Sequence, residues 1–127
     1  MDKQEVINYW VTGSIDSIET ATGLIKMKKY HFGLFFCQLA LEKYLKSIIV
    51  DIAGESPIPT HDLIELTKRA KILPTQAQED QLREISKFNI EARYDSIKLA
   101  FQKKSTPKYA TKWYQITTEL LKWLKNS

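Results

Sequence analysis

Residues 30–54 read YHFGLFFCQLALEKYLKSIIVDIAG. On a helical wheel at ~100° per residue, Leu34, Leu41, Leu45, Ile48, Ile49 and Ile52 form one broad apolar stripe. Phe32, Phe35, Phe36, Leu39 and Val50 form a second stripe. Only a narrow polar face is left, around Tyr44, Ser47 and Asp51. A helix with two apolar sides belongs at the centre of a bundle, or faces a second subunit as well. The stretch therefore predicts a central helix over 30–53, closed by Gly54 as a natural C-terminal cap.

The flanking sequence supplies its partners. Ile7, Trp10, Ser14, Ile18, Ala21 and Ile25 recur at spacings of three and four, which predicts a helix over 3–27. Gly13 and Gly23 weaken it, or let another helix come close. The prolines of ESPIPT (55–60) exclude helix there. A third helix starts at THDL, with Thr60 as the cap and Asp62 in the first turn. A fourth opens at PTQAQ, where Thr75 and Gln78 have the spacing of a capping box, and runs to about 90 through Leu82, Ile85 and Phe88. The segment around Arg93 has no assigned structure. A fifth helix starts at STPKY, with Thr106 as N-cap, Pro107 in the first turn and a stripe of Tyr109, Trp113, Ile116, Leu120 and Leu124. Strand-like alternation is almost absent. The expectation is one all-α domain over 1–127, a four- or five-helix up-and-down bundle.

Composition narrows the function. With 127 residues, 43% hydrophobic and 27% charged, the chain suits a single folded core. One cysteine, Cys37, allows neither an internal disulfide nor a cysteine zinc site, and it reads as a buried small residue. No stretch approaches the ~18–20 apolar residues of a membrane span, and the N-terminus lacks a secretory pattern. Together these predict a cytoplasmic protein with no membrane association. Two histidines and scattered acids give no metal-ligand spacing, and no glycine-rich phosphate loop is present, so neither a metal nor a cofactor is expected. Net charge is +4, and residues 93–127 carry eight Lys or Arg against Asp95 and Glu119. That balance suits an acidic or phosphate-bearing partner, and equally a solvated lysine-rich face.

Two charges of the central helix fall in the wrong place. Lys43 lies on the second apolar stripe and Glu42 lies between the stripes. An unpaired buried charge costs several kcal/mol, so each needs a partner. Lys46, four residues after Glu42, is one candidate; Arg93, with its bidentate fork, is another. The cluster is either a structural lock, with Glu42–Arg93 as an internal ion pair, or the floor of an anion site. His61 sits where a helix N-terminus favours anions, and Tyr94 can stack on a base or pack inward. Asp62 reads as a helix-dipole residue.

These residues carry a resemblance. Ala40, Glu42, Lys43 and Lys46, then Thr60, His61, Asp62 and Leu63, then Arg93 and Tyr94 resemble, in order and spacing, the HEPN (higher eukaryote and prokaryote nucleotide-binding) domain family. The resemblance implies a helical bundle, usually a homodimer, that binds a nucleotide of the ATP or GTP type or RNA. It often acts beside a separately encoded minimal nucleotidyltransferase, in some cases as a toxin–antitoxin pair. One branch of the family cleaves RNA with an arginine and a later histidine separated by four to six residues. Here the positions after Arg93 are Lys98, Leu99 and Ala100, and both histidines, His31 and His61, precede Arg93. The reading is a non-catalytic binding module that uses Lys43, Lys46, His61, Arg93 and Tyr94. The rivals are a structural dimerisation unit and a ribonuclease toxin with a non-standard acid/base such as His61 or Tyr94.

Overall fold

The computed structural model describes residues 2–54 and 56–127; Met1 and Glu55, the first residue of the ESPIPT loop, lie outside the described residues. Among the described residues, six helices follow in order: α1 (Lys3–Lys26), α2 (Tyr30–Ala53), α3 (Leu63–Arg69), α4 (Gln76–Glu91), α5 (Asp95–Lys104) and α6 (Pro107–Lys125). No strand occurs among the described residues, and the protein is all-α. No helix among them is long and apolar enough to cross a membrane.

α2 is the hub and touches each of the other five helices. Its two apolar stripes are both used. Leu34, Leu41, Leu45 and Ile49 are buried, with Cys37 and Val50, and most of the second stripe is half-buried. The apolar excess that suggested a second subunit is thus largely taken up inside the bundle. Phe32 and Ile52 remain about half exposed. Phe88 of α4, Phe101 of α5 and Leu124 of α6 complete the same core.

The ends follow local chemistry. Asp2 caps α1 by accepting from the Glu5 N–H at 2.8 Å, and Gly54 takes the left-handed conformation (φ 70°) that ends α2. Thr75 and Gln78 form the reciprocal capping box, and Thr106 caps α6 with Pro107 behind it. At α3 the expectation needs correction. Asp62, not Thr60, is the cap, accepting from Ile64 and Glu65 N–H, while the Thr60 hydroxyl accepts from the Asp62 N–H.

The segment after Arg93 is helical, which makes six helices where four or five were expected. α5 has one buried side chain, Phe101, whose ring lies 5.5 Å from that of Phe88. Its N-cap, Tyr94, makes no side-chain cap. A ten-residue helix with one anchor and no cap leaves little periodicity to read. Its far end is held by charge: Lys104 Nζ lies 3.3 Å from both Glu84 and Glu91 of α4.

Candidate functional site

The site is built from the middle of α2 outward. Glu42 is 4% exposed, and three groups converge on its carboxylate. Lys46, one turn on, donates to Oε2 at 2.9 Å, and Gln38, one turn back, donates to Oε1 at 3.0 Å. His61, in the approach to α3, places Nδ1 2.9 Å from Oε1. Burial pushes the Glu42 carboxyl up. The hydrogen bonds from Gln38, Lys46 and His61, with the Lys46 charge, outweigh it and hold the carboxyl below its ordinary value. The ionised carboxylate only accepts, so His61 Nδ1 carries a proton toward it. Nε2 is then the ring nitrogen left unused.

A polar chain continues inward. Gln38 Nε2 also donates to the His61 carbonyl at 3.0 Å, which turns Gln38 Oε1 toward Asn89 Nδ2 at 3.0 Å. Asn89 thus donates to Gln38, and Gln38 in turn to Glu42 and to the His61 carbonyl. The last acceptor, buried Asn89 Oδ1, has no partner among the described residues. The network ties α2, the approach to α3 and α4 together at the level of His61.

His61 faces outward from this network, its side chain 47% exposed. It lines a groove of about 570 Å³ together with Arg93 and Tyr94. Ser86 and Ile90 of α4 line it as well, and Arg83 and Lys87 of α4 add positive charge there. Arg93 Nε donates to the Asn89 carbonyl at 3.2 Å, and its guanidinium makes no ion pair among the described residues. The planar end of its fork is available to an oxyanion. Arg83 pairs with Glu79 at 2.9 Å and Lys87 with Glu84 at 3.4 Å. Both cations are exposed, and pairs made by exposed side chains are worth little, so either cation can turn toward an anionic ligand. Tyr94 is 57% exposed and presents its ring at the same rim.

The sequence candidates therefore separate. His61, Arg93 and Tyr94 share one groove. Lys46 is buried, bonded to Glu42, lies 5.2 Å from the Trp10 ring centroid and lines neither this groove nor the one against α1. Lys43 lines a different groove, against α1. Of the two partners considered for Glu42, Lys46 is present, while the Glu42–Arg93 pair is absent among the described residues: Lys46, His61 and Gln38 occupy the carboxylate, and Arg93 turns to the α4 carbonyl instead. Nor does α3 offer its N–H groups to an anion, since Ser86 Oγ accepts from Leu63 and Asp62 accepts from the next two. Arg83, Ser86, Lys87 and Ile90 were not anticipated. Their signal is present, because 83, 86, 87, 90, 93 and 94 fall at helical spacing on one face.

The model of the HEPN domain matches residues 7–127. The chain belongs to the HEPN family. The match spans α2 with Glu42, the Thr60–Leu63 turn and the Arg93–Tyr94 rim, so it covers the whole groove. HEPN domains bind nucleotides or RNA, and the function of this one lies in that area. Among curated proteins and among solved structures, none matches the chain.

Two other groups bear on chemistry. Cys37 is buried, and burial pushes its thiol up to about 12, only partly offset by a hydrogen bond with Thr117. It is no nucleophile at neutral pH. Among the described residues, no three His, Cys, Asp or Glu side chains gather closely enough to hold a metal ion.

Proposed function

We propose that this HEPN domain is a non-catalytic nucleotide- or RNA-binding module whose ligand phosphate sits in the groove between His61 and Arg93. The observation that carries this reading is the convergence of His61, Arg93 and Tyr94 with Arg83 and Lys87 on one concave surface. The Arg93 fork takes a phosphate, Arg83 and Lys87 add field, and a base stacks on Tyr94. The absence of any histidine after Arg93 supports binding without the family's cleavage chemistry. In keeping with the family, the domain acts as a homodimer beside a separately encoded minimal nucleotidyltransferase, as a toxin–antitoxin-like pair. Ile90, Tyr94, Ile97 and Leu99, exposed at the α4–α5 end, supply apolar surface for such contacts.

One observation favours a second reading. A histidine held by a buried carboxylate, with its outer nitrogen facing a groove that contains an arginine, is the equipment of a general acid/base beside a phosphate. That arrangement supports a ribonuclease with His61 in place of the missing histidine.

One experiment separates them. The purified protein is titrated with ATP, GTP and a labelled single-stranded RNA, and the RNA is then run on a denaturing gel, with Arg93→Ala and His61→Asn in parallel. Saturable binding that weakens at least tenfold in Arg93→Ala, with intact RNA, supports the binding module. RNA cleavage lost in both variants supports the second reading. Absence of binding and cleavage with all three ligands overturns both.

A further inference from the structure

Lys43 carries an inference of its own. Of the sixteen lysines in the chain, only Lys43, Lys46 and Lys104 are withdrawn from full exposure. Lys46 has Glu42 at 2.9 Å, and Lys104 has Glu84 and Glu91 at 3.3 Å. Lys43 has no carboxylate within 4 Å and no hydrogen bond among the described residues. The stem of Lys43 is covered while its amine lines a groove, so the cation is open to an anion from outside the chain.

The surroundings hold this amine in place. Glycine is a poor residue for the middle of a helix, yet Gly13 sits in the interior of α1. A Cβ there would lie 3.0 Å from Lys43 Cδ and 3.7 Å from Nζ. The lysine stem thus lies across the space that Gly13 leaves empty, with the amine against the α1 backbone. It lines a groove of about 450 Å³ walled by Tyr9 and Trp10 on one turn of α1 and by Thr12 and Asp16 on the next turns. Trp10 is fixed from behind by Lys46, 5.2 Å from its ring centroid, and from the side by the edge-on Tyr9 ring at 5.1 Å. This groove shares no lining residue with the His61 groove.

We propose that the α1–α2 groove is a second ligand site, which takes a planar aromatic ring bearing one negative charge, as in an aromatic carboxylate. The anion pairs with Lys43, and the ring packs on Tyr9 and Trp10. Asp16, on the same rim, disfavours polyanions, so nucleoside triphosphates and RNA go to the basic groove and not here.

The test is a two-dimensional ¹⁵N NMR titration of the full chain with 1-naphthoate. Acetate serves as the anion without a ring, and 1-naphthalenemethanol as the ring without an anion. The expected result is saturable movement of the Gly13 amide and Trp10 indole signals, with naphthoate binding at least tenfold tighter than either control. Lys43→Met, which keeps the stem, weakens naphthoate at least tenfold. Lys43→Arg keeps most of the affinity, and Arg93→Ala leaves it unchanged. The spectrum of each variant reports its folding in the same experiment. Unmoved Gly13 and Trp10 signals, equal affinity for acetate and naphthoate, or full affinity in a folded Lys43→Met would each overturn the proposal.

Discussion

Glu42 and Glu84 are built alike and open differently. Each carboxylate gathers a lysine and a ring: Lys46 and His61 for Glu42, Lys104 and Tyr109 for Glu84. In each case burial pushes the carboxyl up and its donors pull it below the ordinary value. The difference lies in the ring. Tyr109 has one proton and donates it to Glu84; burial first and then that carboxylate push its phenol well up, so it stays protonated. His61 gives Nδ1–H to Glu42 and keeps Nε2 facing the groove. A carboxylate cluster is thus a fastening where its outer partner has no further hydrogen-bonding role, as between α4, α5 and α6. It becomes part of a site where the outer partner keeps an unused atom at a concave surface.

The sharpest way to break this comparison is to remove the buried member. Glu42→Ala leaves Lys46 buried without its partner, and stability falls by about 3–5 kcal/mol in urea unfolding. A loss below about 1 kcal/mol would mean that the cluster is not the anchor described here. Lys104→Met acts on a pair that is partly solvated, so it lowers stability by only about 1 kcal/mol. It also loosens α5 more than the rest, which hydrogen exchange of residues 95–104 would report.

Acid should act on both clusters in the same direction. A carboxyl held below its unfolded value stabilises the fold above the ordinary carboxylate range, near ~4.3 for a glutamate. That contribution is lost as pH falls through the lower, folded value. Glu42→Gln, already without the charge, should show a shallower loss of stability over that acid range than the native chain. Equal slopes would contradict the ionised Glu42. The smallest effect on stability belongs to the rim: Arg93→Ala changes it by no more than about 0.5 kcal/mol, because an exposed side chain with one hydrogen bond to a helix carbonyl is lost. A drop as large as that of Glu42→Ala would make Arg93 part of the lock.

Much of this was legible in the residues because the relevant physics is local. The two stripes of α2, the capping box at Thr75, Pro107 behind Thr106, and the i,i+4 pair of Glu42 with Lys46 depend on neighbours within one or two turns. The order of the Glu42, His61 and Arg93 motifs pointed to the family. α5 was hidden because one buried phenylalanine carries it and its fastening, Lys104 to Glu84 and Glu91, is tertiary. Of the two partners considered for Glu42, Lys46 is present and Arg93 is not, for the same kind of reason. Nothing local links residue 42 to residue 61 or 93, and only the folded path of the chain brings His61 to Glu42 and turns Arg93 to the Asn89 carbonyl. The separation of Lys43 from Lys46, three residues apart on one helix, likewise needs α1 in place to be seen.

In the function proposed, the groove of His61, Arg93 and Tyr94 binds nucleotide or RNA phosphate while the Glu84 cluster only fastens the fold. A thermal-shift titration with ATP, GTP and a short single-stranded RNA, run on the native chain, Arg93→Ala and Lys104→Met, tests it most directly. One of these ligands should raise the melting temperature saturably, by the equivalent of about 2.7 kcal/mol at a hundred times its Kd. The rise should persist in Lys104→Met, from a lower starting temperature, and vanish in Arg93→Ala. A rise that survives in Arg93→Ala, or the absence of a rise for all three ligands, would contradict the claim.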